Sequence, residues 1–244
     1  MSRVRILSIE VDKVTMTEAV DQCLAFLDDP RPHVVVTPNA EIAYRAGQEP
    51  ALAALLKGAD LVIPDGAGVV LASRILGDRL PEKVAGADLA TNLLRTLSEQ
   101  SRGRVYLLGA KPDVVARAVE RIRARFPGLT VAGYRDGYFR PEEEPAVIEA
   151  IRAAQPDVLF VGLGSPRQEF WLQSHLAATG ARVGLGIGGT IDVWADESNR
   201  APEWAIKANL EWLWRIVKFG RYGRSLPPLI KFGLAVVRQR LRGR

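Results

Sequence analysis

The residues best placed to do chemistry sit where apolar runs end. Asp65 follows Leu61-Val62-Ile63 and precedes Gly66-Ala67-Gly68. A carboxylate at the end of a buried strand is partly stripped of water and can take a proton from a hydroxyl. The same residue could instead cap the helix that follows, and the local motif leaves both readings open. Gly164-Ser165-Pro166-Arg167-Gln168-Glu169 ends a second apolar run. With Ser165 as N-cap and Pro166 as the first helical residue, free backbone N–H groups would face an anion or the polar edge of a nucleotide. An ordinary capped helix has the same spelling. Gln168 and Glu169 fall in its first turn, where Glu169 could equally complete the cap or complement the helix dipole. Thr37-Pro38-Asn39, Gly109-Ala110-Lys111-Pro112 and the glycine-rich Gly184–Thr190 leave three further runs.

Other chemistries lack their residues. No G-x-x-x-x-G-K-[ST] phosphate loop occurs. The spaced glycines of Gly184–Gly189 are weak as a dinucleotide fingerprint. There is no D-x-D triplet, and Asp192 and Asp196, four apart, do not define a metal site. Asp192 reads as a structural residue or a hydrogen-bond acceptor for a ligand. No serine stands in a G-x-S-x-G elbow. Cys23 lies on the apolar face of the first helix and reads as an inert buried thiol. One cysteine and two separated histidines, His33 and His175, make neither a disulfide nor a zinc pattern. No metal and no cofactor is expected.

These residues need a scaffold that gathers strand ends. The runs Val34–Val36, Leu61–Ile63, Val105–Leu108, Val158–Val161 and Val183–Ile187 are short and continuous, and amphipathic stretches such as Pro112–Arg125 and Glu142–Ala154 lie between them. That alternation predicts an α/β fold: a mostly parallel, Rossmann-like sheet covered by helices, with ligands beyond the carboxyl ends of its strands. Thr15–Glu18 spells a capping box for a helix over about 17–28, and Arg3–Val14 reads as a small hairpin at the sheet edge.

The chain has 244 residues, 48% hydrophobic and 25% charged, so it can bury a core without disulfides. No apolar run approaches about 18 residues, and the N-terminus has no signal-peptide core. These features point to the cytoplasm. The net charge of +5 is unevenly spread. Residues 1–200 hold 23 Lys/Arg against 26 Asp/Glu, and residues 201–244 hold 10 against 2, together with three of the five tryptophans. Charge confined to the tail argues against nucleic-acid binding across the body. It suits an amphipathic segment lying on an anionic membrane. We therefore divide the chain into an α/β catalytic domain, 1–199, and a basic, Trp-rich helical appendage, 200–244. In the appendage Ala201-Pro202-Glu203 opens a helix in which Trp204, Ile206, Leu210, Leu213, Trp214 and Val217 share an apolar face. Gly220, Gly223 and Pro227-Pro228 then break the pattern before a second amphipathic segment, Leu229–Leu241. Exposed apolar surface on a detached tail could support a homo-oligomer.

Taken together, the segments resemble the WecG/TagA/CpsF glycosyltransferases. Thr37–Glu41, Pro64–Gly66, Leu80–Asp88, Tyr106–Gly109, Gly137–Phe139, Gly164–Glu169, Gly188–Val193, and Arg200–Pro202 with Leu210–Arg215 keep the family's order from about residue 5 to 225. The resemblance implies metal-independent, inverting transfer of a sugar, N-acetylmannosamine in the leading reading, from a UDP-sugar to a polyprenyl-diphosphate-linked GlcNAc at the inner face of the cell membrane. It implies Asp65 as the base that deprotonates the acceptor. Thr37, Asn39 and Gln168 would hold donor or acceptor. The loops at Gly109, Tyr138, Gly164 with Pro166 and Glu169, and Gly188-Gly189 with Asp192, would frame the nucleotide. Arg215, Arg221 and Arg224 would stabilise the leaving diphosphate from a tail folded over the site. Lys83 stands where the family commonly has arginine; it keeps the charge but not the bidentate fork. The runner-up is a UDP-glucose transferase of capsule or exopolysaccharide assembly. The reading from another class is a non-catalytic protein that binds anionic lipid or nucleic acid.

Overall fold

The computed structural model describes residues 2–220 and 222–242, without the side chains of 224 and 225. Two short strands, β1 (Arg3–Ile6) and β2 (Ile9–Asp12), form the expected antiparallel hairpin. Helix α1 (Met16–Phe26) begins at the expected capping box: Thr15 Oγ1 accepts from Glu18 N at 3.3 Å, and the Glu18 carboxylate accepts from Thr15 N at 2.8 Å. Six strands then make one sheet: β3 (His33–Val36), β4 (Leu61–Val62), β5 (Arg104–Gly109), β6 (Thr130–Arg135), β7 (Val158–Gly162) and β8 (Val183–Gly186). Their order is β4-β3-β8-β7-β5-β6, and every pairing is parallel. All six carboxyl ends therefore point to one edge of the sheet.

The connections are helical: α2 (Ala40–Ala46), α3 (Pro50–Gly58), α4 (Ala67–Leu76), α5 (Gly86–Glu99), α6 (Pro112–Arg125), α7 (Glu144–Ala154), α8 (Arg167–Thr179) and α9 (Thr190–Ala195). Alternate strand residues feed opposite layers, as the pleat requires. Val35, Leu61, Leu107, Phe160 and Leu185 pack with α1, α5, α6 and α9. Val36 and Val62 pack with the hairpin, α2, α3 and α4, and Leu108, Leu159 and Val161 pack with α7 and α8. The hairpin is fastened by Asp12, which is buried; it accepts from Arg3 Nε at 2.9 Å and from Val62 N at 2.8 Å on the edge strand. Cys23 is buried in the core, where loss of water pushes its thiol up to about 12.

The C-terminal segment departs from expectation in two ways. The apolar face from Trp204 to Val217 does not belong to one helix. It is divided between α10 (Glu203–Lys207) and α11 (Glu211–Lys218). Asn209, at φ 59°, closes α10 with a Schellman turn in which Leu210 N bonds Ala205 O and Asn209 N bonds Ile206 O. Asparagine tolerates that left-handed conformation better than other residues with a side chain. The second departure is at Gly223 and Pro227-Pro228, which break nothing: α12 runs unbroken over Tyr222–Arg242. Each proline removes a backbone donor, but Phe232 and Val236 are buried against α2 and α4. Tertiary burial outweighs the local preference there.

Candidate active site

Asp65 lies between the end of β4 and α4. Gly66, with no side chain, occupies the cap position, so the carboxylate does not cap the helix. The side chain is half-buried. Loss of water is the largest influence and raises its pKa to about 6. The Arg215 charge opposes that rise, the Glu211 charge adds to it, and the Gly86 N–H and Lys83 ammonium oppose it more weakly. α11 therefore brings both an acid and a base to the Asp65 carboxylate. Glu211 and Arg215 are bonded to each other at 2.7 Å, one helical turn apart.

The remaining strand-end residues join in sequence across the sheet edge. A Cβ added at Gly86 would stand 2.9 Å from Thr37 Cγ2, and Thr37 Oγ1 donates to Gly186 O at 3.2 Å. Asn39 sits beside Gly66, and its Oδ1 accepts from Ile42 N at 3.1 Å, capping α2. Gln168 is buried; its Oε1 accepts from Gly188 N at 2.9 Å and its Nε2 donates to Glu169 at 3.0 Å. Burial raises the Glu169 carboxyl above its ordinary range. Beyond these, Gly109 pairs with Gly162 at φ 135°, and an added Cβ would fall 2.5 Å from the Gly162 carbonyl oxygen. Glycine is required at that closure. Gly137 N donates to Ala110 O at 3.0 Å, which anchors the loop bearing the exposed Tyr138.

Two expectations at this edge are corrected. Ser165 is not the N-cap of α8, and Pro166 is not its first residue: the helix starts at Arg167, with Pro166 in the cap position and no side-chain cap bond. Pro166, at φ −93° and ψ 7°, is not yet helical, the Ser165–Pro166 peptide is cis, and the buried Ser165 hydroxyl lies beside the Glu169 carboxyl and opposes the rise of its pKa. Gly164, at φ 78°, and Gly188, at φ 52°, face open space, and a Cβ added at Gly189 would stand 3.7 Å from Asp192 Oδ2. Asp192 is exposed in the first turn of α9, one turn below Gly189.

Of the three arginines expected to stabilise the leaving diphosphate, Arg215 is the one whose side chain is described. Arg221 and the side chain of Arg224 lie outside the described residues. The sequence reading missed Gly86 and Glu211. The Glu211-x-x-x-Arg215 spacing was a usable signal for the second. An ion pair between Arg200 and Asp88 fastens the start of the C-terminal segment to the first turn of α5, whose leading residue is Gly86. Among the described residues, no three His, Cys, Asp or Glu side chains group to hold a metal ion. A cleft of about 630 Å³ lies elsewhere, lined by Arg95, Arg121, Trp194 and Ile206 among others, and none of the candidate residues lines it.

A doubly covered parallel sheet with a raised-pKa carboxylate and cations at its ligand edge defines an α/β enzyme suited to group transfer from an anionic donor. Comparison makes the class specific. Residues 4–244 match the glycosyl transferase WecG/TagA/CpsF family, and the chain belongs to that family. It is 38% identical over 213 residues to an N-acetylglucosaminyldiphosphoundecaprenol N-acetyl-beta-D-mannosaminyltransferase of Bacillus spizizenii, covering 87% of this chain and 82% of the relative. A protein of the same name from Bacillus subtilis is 33% identical, with 88% and 82% covered. One from Staphylococcus aureus is 31% identical, with 99% and 95% covered. The chain is thus a glycosyltransferase.

Proposed function

We propose that the protein transfers N-acetylmannosamine from a UDP-sugar to GlcNAc carried on undecaprenyl diphosphate. The observation that carries the mechanism is the Asp65 carboxyl, held near pKa 6 beside Arg215 and Lys83. At neutral pH it is ionised yet basic enough to accept a proton. As the acceptor hydroxyl oxygen attacks the anomeric carbon, Asp65 takes its proton, the bond from that carbon to the UDP oxygen breaks, and the configuration inverts. The electron pair leaves on the diphosphate, where Arg215 and Lys83 stabilise the new charge. In this reading no metal is needed. Thr37, Asn39, Gln168 and the loops at Gly109, Tyr138, Gly164 and Gly188-Gly189 bind donor and acceptor.

The protein would work at the cytoplasmic face of a membrane, with 1–199 as the catalytic unit and 200–244 as the basic appendage. The tail's charge and exposed Trp204 and Trp212 support this. No helix among the described residues is long and apolar enough to cross a bilayer. The test is incubation with a panel of UDP-sugars and a lipid-diphosphate-GlcNAc acceptor without added metal, following UDP release and product mass. Product from UDP-N-acetylmannosamine that vanishes in Asp65→Asn supports the reading. Product from UDP-glucose alone would replace the donor, and no product from any donor would overturn the reading.

A further inference from the structure

Gln168 and Glu169 are adjacent in the first turn of α8, and both are buried, at 2% and 3% exposure. Adjacent helical residues point about 100° apart, so the two meet different neighbours. A buried carboxyl is costly unless something compensates it. Burial raises the Glu169 pKa; the Gln168 amide, the Glu169 backbone N–H and the Ser165 hydroxyl oppose the rise, and no charged side chain takes part. The proposed transfer makes no use of Glu169, so its place in the site needs another reason.

That reason is the Gln168 amide. Glu169 Oε1 accepts from Gln168 Nε2 at 3.0 Å, and Gln168 Oε1 accepts from Gly188 N at 2.9 Å. A primary amide keeps its shape when turned over, but its donor and acceptor change places. Turned over here, it would set its N–H groups against the Gly188 N–H and its oxygen against the Glu169 carboxylate. Both bonds would become repulsions. The amide also lies close against Gly186, where an added Cβ would stand 2.9 Å from Nε2.

The loop held in this way bounds the open part of the site. Gly188, at φ 52°, faces open space, and Gly189 is exposed. At the start of the same loop, Gly186 O accepts from Thr37, which lies against Gly86, and the Gly86 N–H acts on Asp65. We propose that Glu169 is a positioning residue for the donor: it fixes the Gln168 amide in the one orientation that holds the Gly188-Gly189 loop in shape for the nucleotide. The role rests on the proposed binding of a UDP-sugar at that loop. It explains an acid at a position too buried to offer a ligand any surface.

The experiment reads UDP affinity by calorimetric titration, and KM and kcat for the UDP-sugar. Glu169→Met keeps a similar unbranched volume and removes the acceptor. UDP Kd and the donor KM are expected to rise roughly tenfold, the effect of one lost buried hydrogen bond to a charged group, while kcat holds. A purely structural role would instead lower the folded fraction and with it kcat, leaving KM and Kd in place. Glu169→Gln can still turn an oxygen to Gln168 and should bind UDP as wild type does. The pair is also exchanged. Gln168→Glu alone sets two carboxylates against each other and should weaken UDP binding by roughly tenfold or more. Adding Glu169→Gln to it again places an amide beside a carboxylate, with an oxygen still facing the Gly188 N–H, and should restore affinity. The exchange decides the matter if Glu169→Met fails to fold. Wild-type affinity in Glu169→Met, or a double variant no better than Gln168→Glu, would overturn the proposal. Wild-type protein that binds no UDP would contradict the proposed function instead.

Discussion

The strand-end loops and α11 both flank the edge of the sheet that carries Asp65, but they are held in opposite ways. Thr37, Asn39 and Gln168 are tied into the body by hydrogen bonds to Gly186, Ile42 and Gly188. α11 presents exposed Trp212, Leu213 and Val217 and buries only Ile216. The loops are fixed by the sheet whether or not ligand is present; α11 is held by few contacts, and its charges are its main contribution. Electrostatic stabilisation of a leaving group needs position more than burial, so a thinly anchored helix can supply it. α12 differs from α11 again. It is packed on α2 and α4 and belongs to the core, so removing everything after Asn199 would uncover Val69 and Ala72 as well as remove the tail charges.

This contrast can be broken by mutation. The largest effect is expected at Asp65. Asp65→Asn should lower kcat by about 10²–10⁴ while UDP affinity persists, measured by transfer rates and calorimetric titration. Its stability should move the other way. Burial raises the folded-state pKa from 3.8 to about 6, so Asp65 costs nothing below pH 3.8 and its full penalty appears as pH rises through 6. Asn should therefore raise stability above pH 6 by up to about 3 kcal/mol, and thermal melts at pH 5 and 8 would show it. Arg215→Gln should cost about 10²-fold in kcat; because its charge holds the Asp65 pKa down, its loss should also lower stability above pH 6 but leave the melting temperature at pH 4 unchanged. A fall in stability at pH 4 as well would make α11 a structural part of the body. The smallest effect is at Asn39. Asn39→Ala removes the α2 cap and should cost about 1 kcal/mol in denaturant unfolding, in addition to any loss of rate.

The sequence shows the contrast only in part. Continuous apolar runs, amphipathic stretches and capping signals located five of the six sheet strands, α1, α6 and α7. They missed β6, an edge strand whose Thr130-Val131-Ala132-Gly133-Tyr134-Arg135 mixes polar residues and glycine with a single β-branched aliphatic. Strand-end motifs located Asp65 and its loop neighbours because residue type and chain order are enough for that. Gly86 was not legible as a partner of Asp65, since a backbone N–H has no residue type. The continuity of α12 was not legible because burial of Phe232 and Val236 overrides a local proline signal. The pairing of α4 with α12 depends on contacts more than 150 residues apart in the chain.

The most direct test of the account is the pH dependence of kcat/KM for transfer from UDP-N-acetylmannosamine, measured in wild type, Arg215→Gln and Glu211→Gln. The account predicts that activity rises with pH through an acid limb near 6. Removing the Arg215 charge should move that limb up, and removing the Glu211 charge should move it down. A limb that stays in place in both variants, or that survives in Asp65→Asn, would contradict the claim that Asp65 is the base and that α11 sets its charge environment.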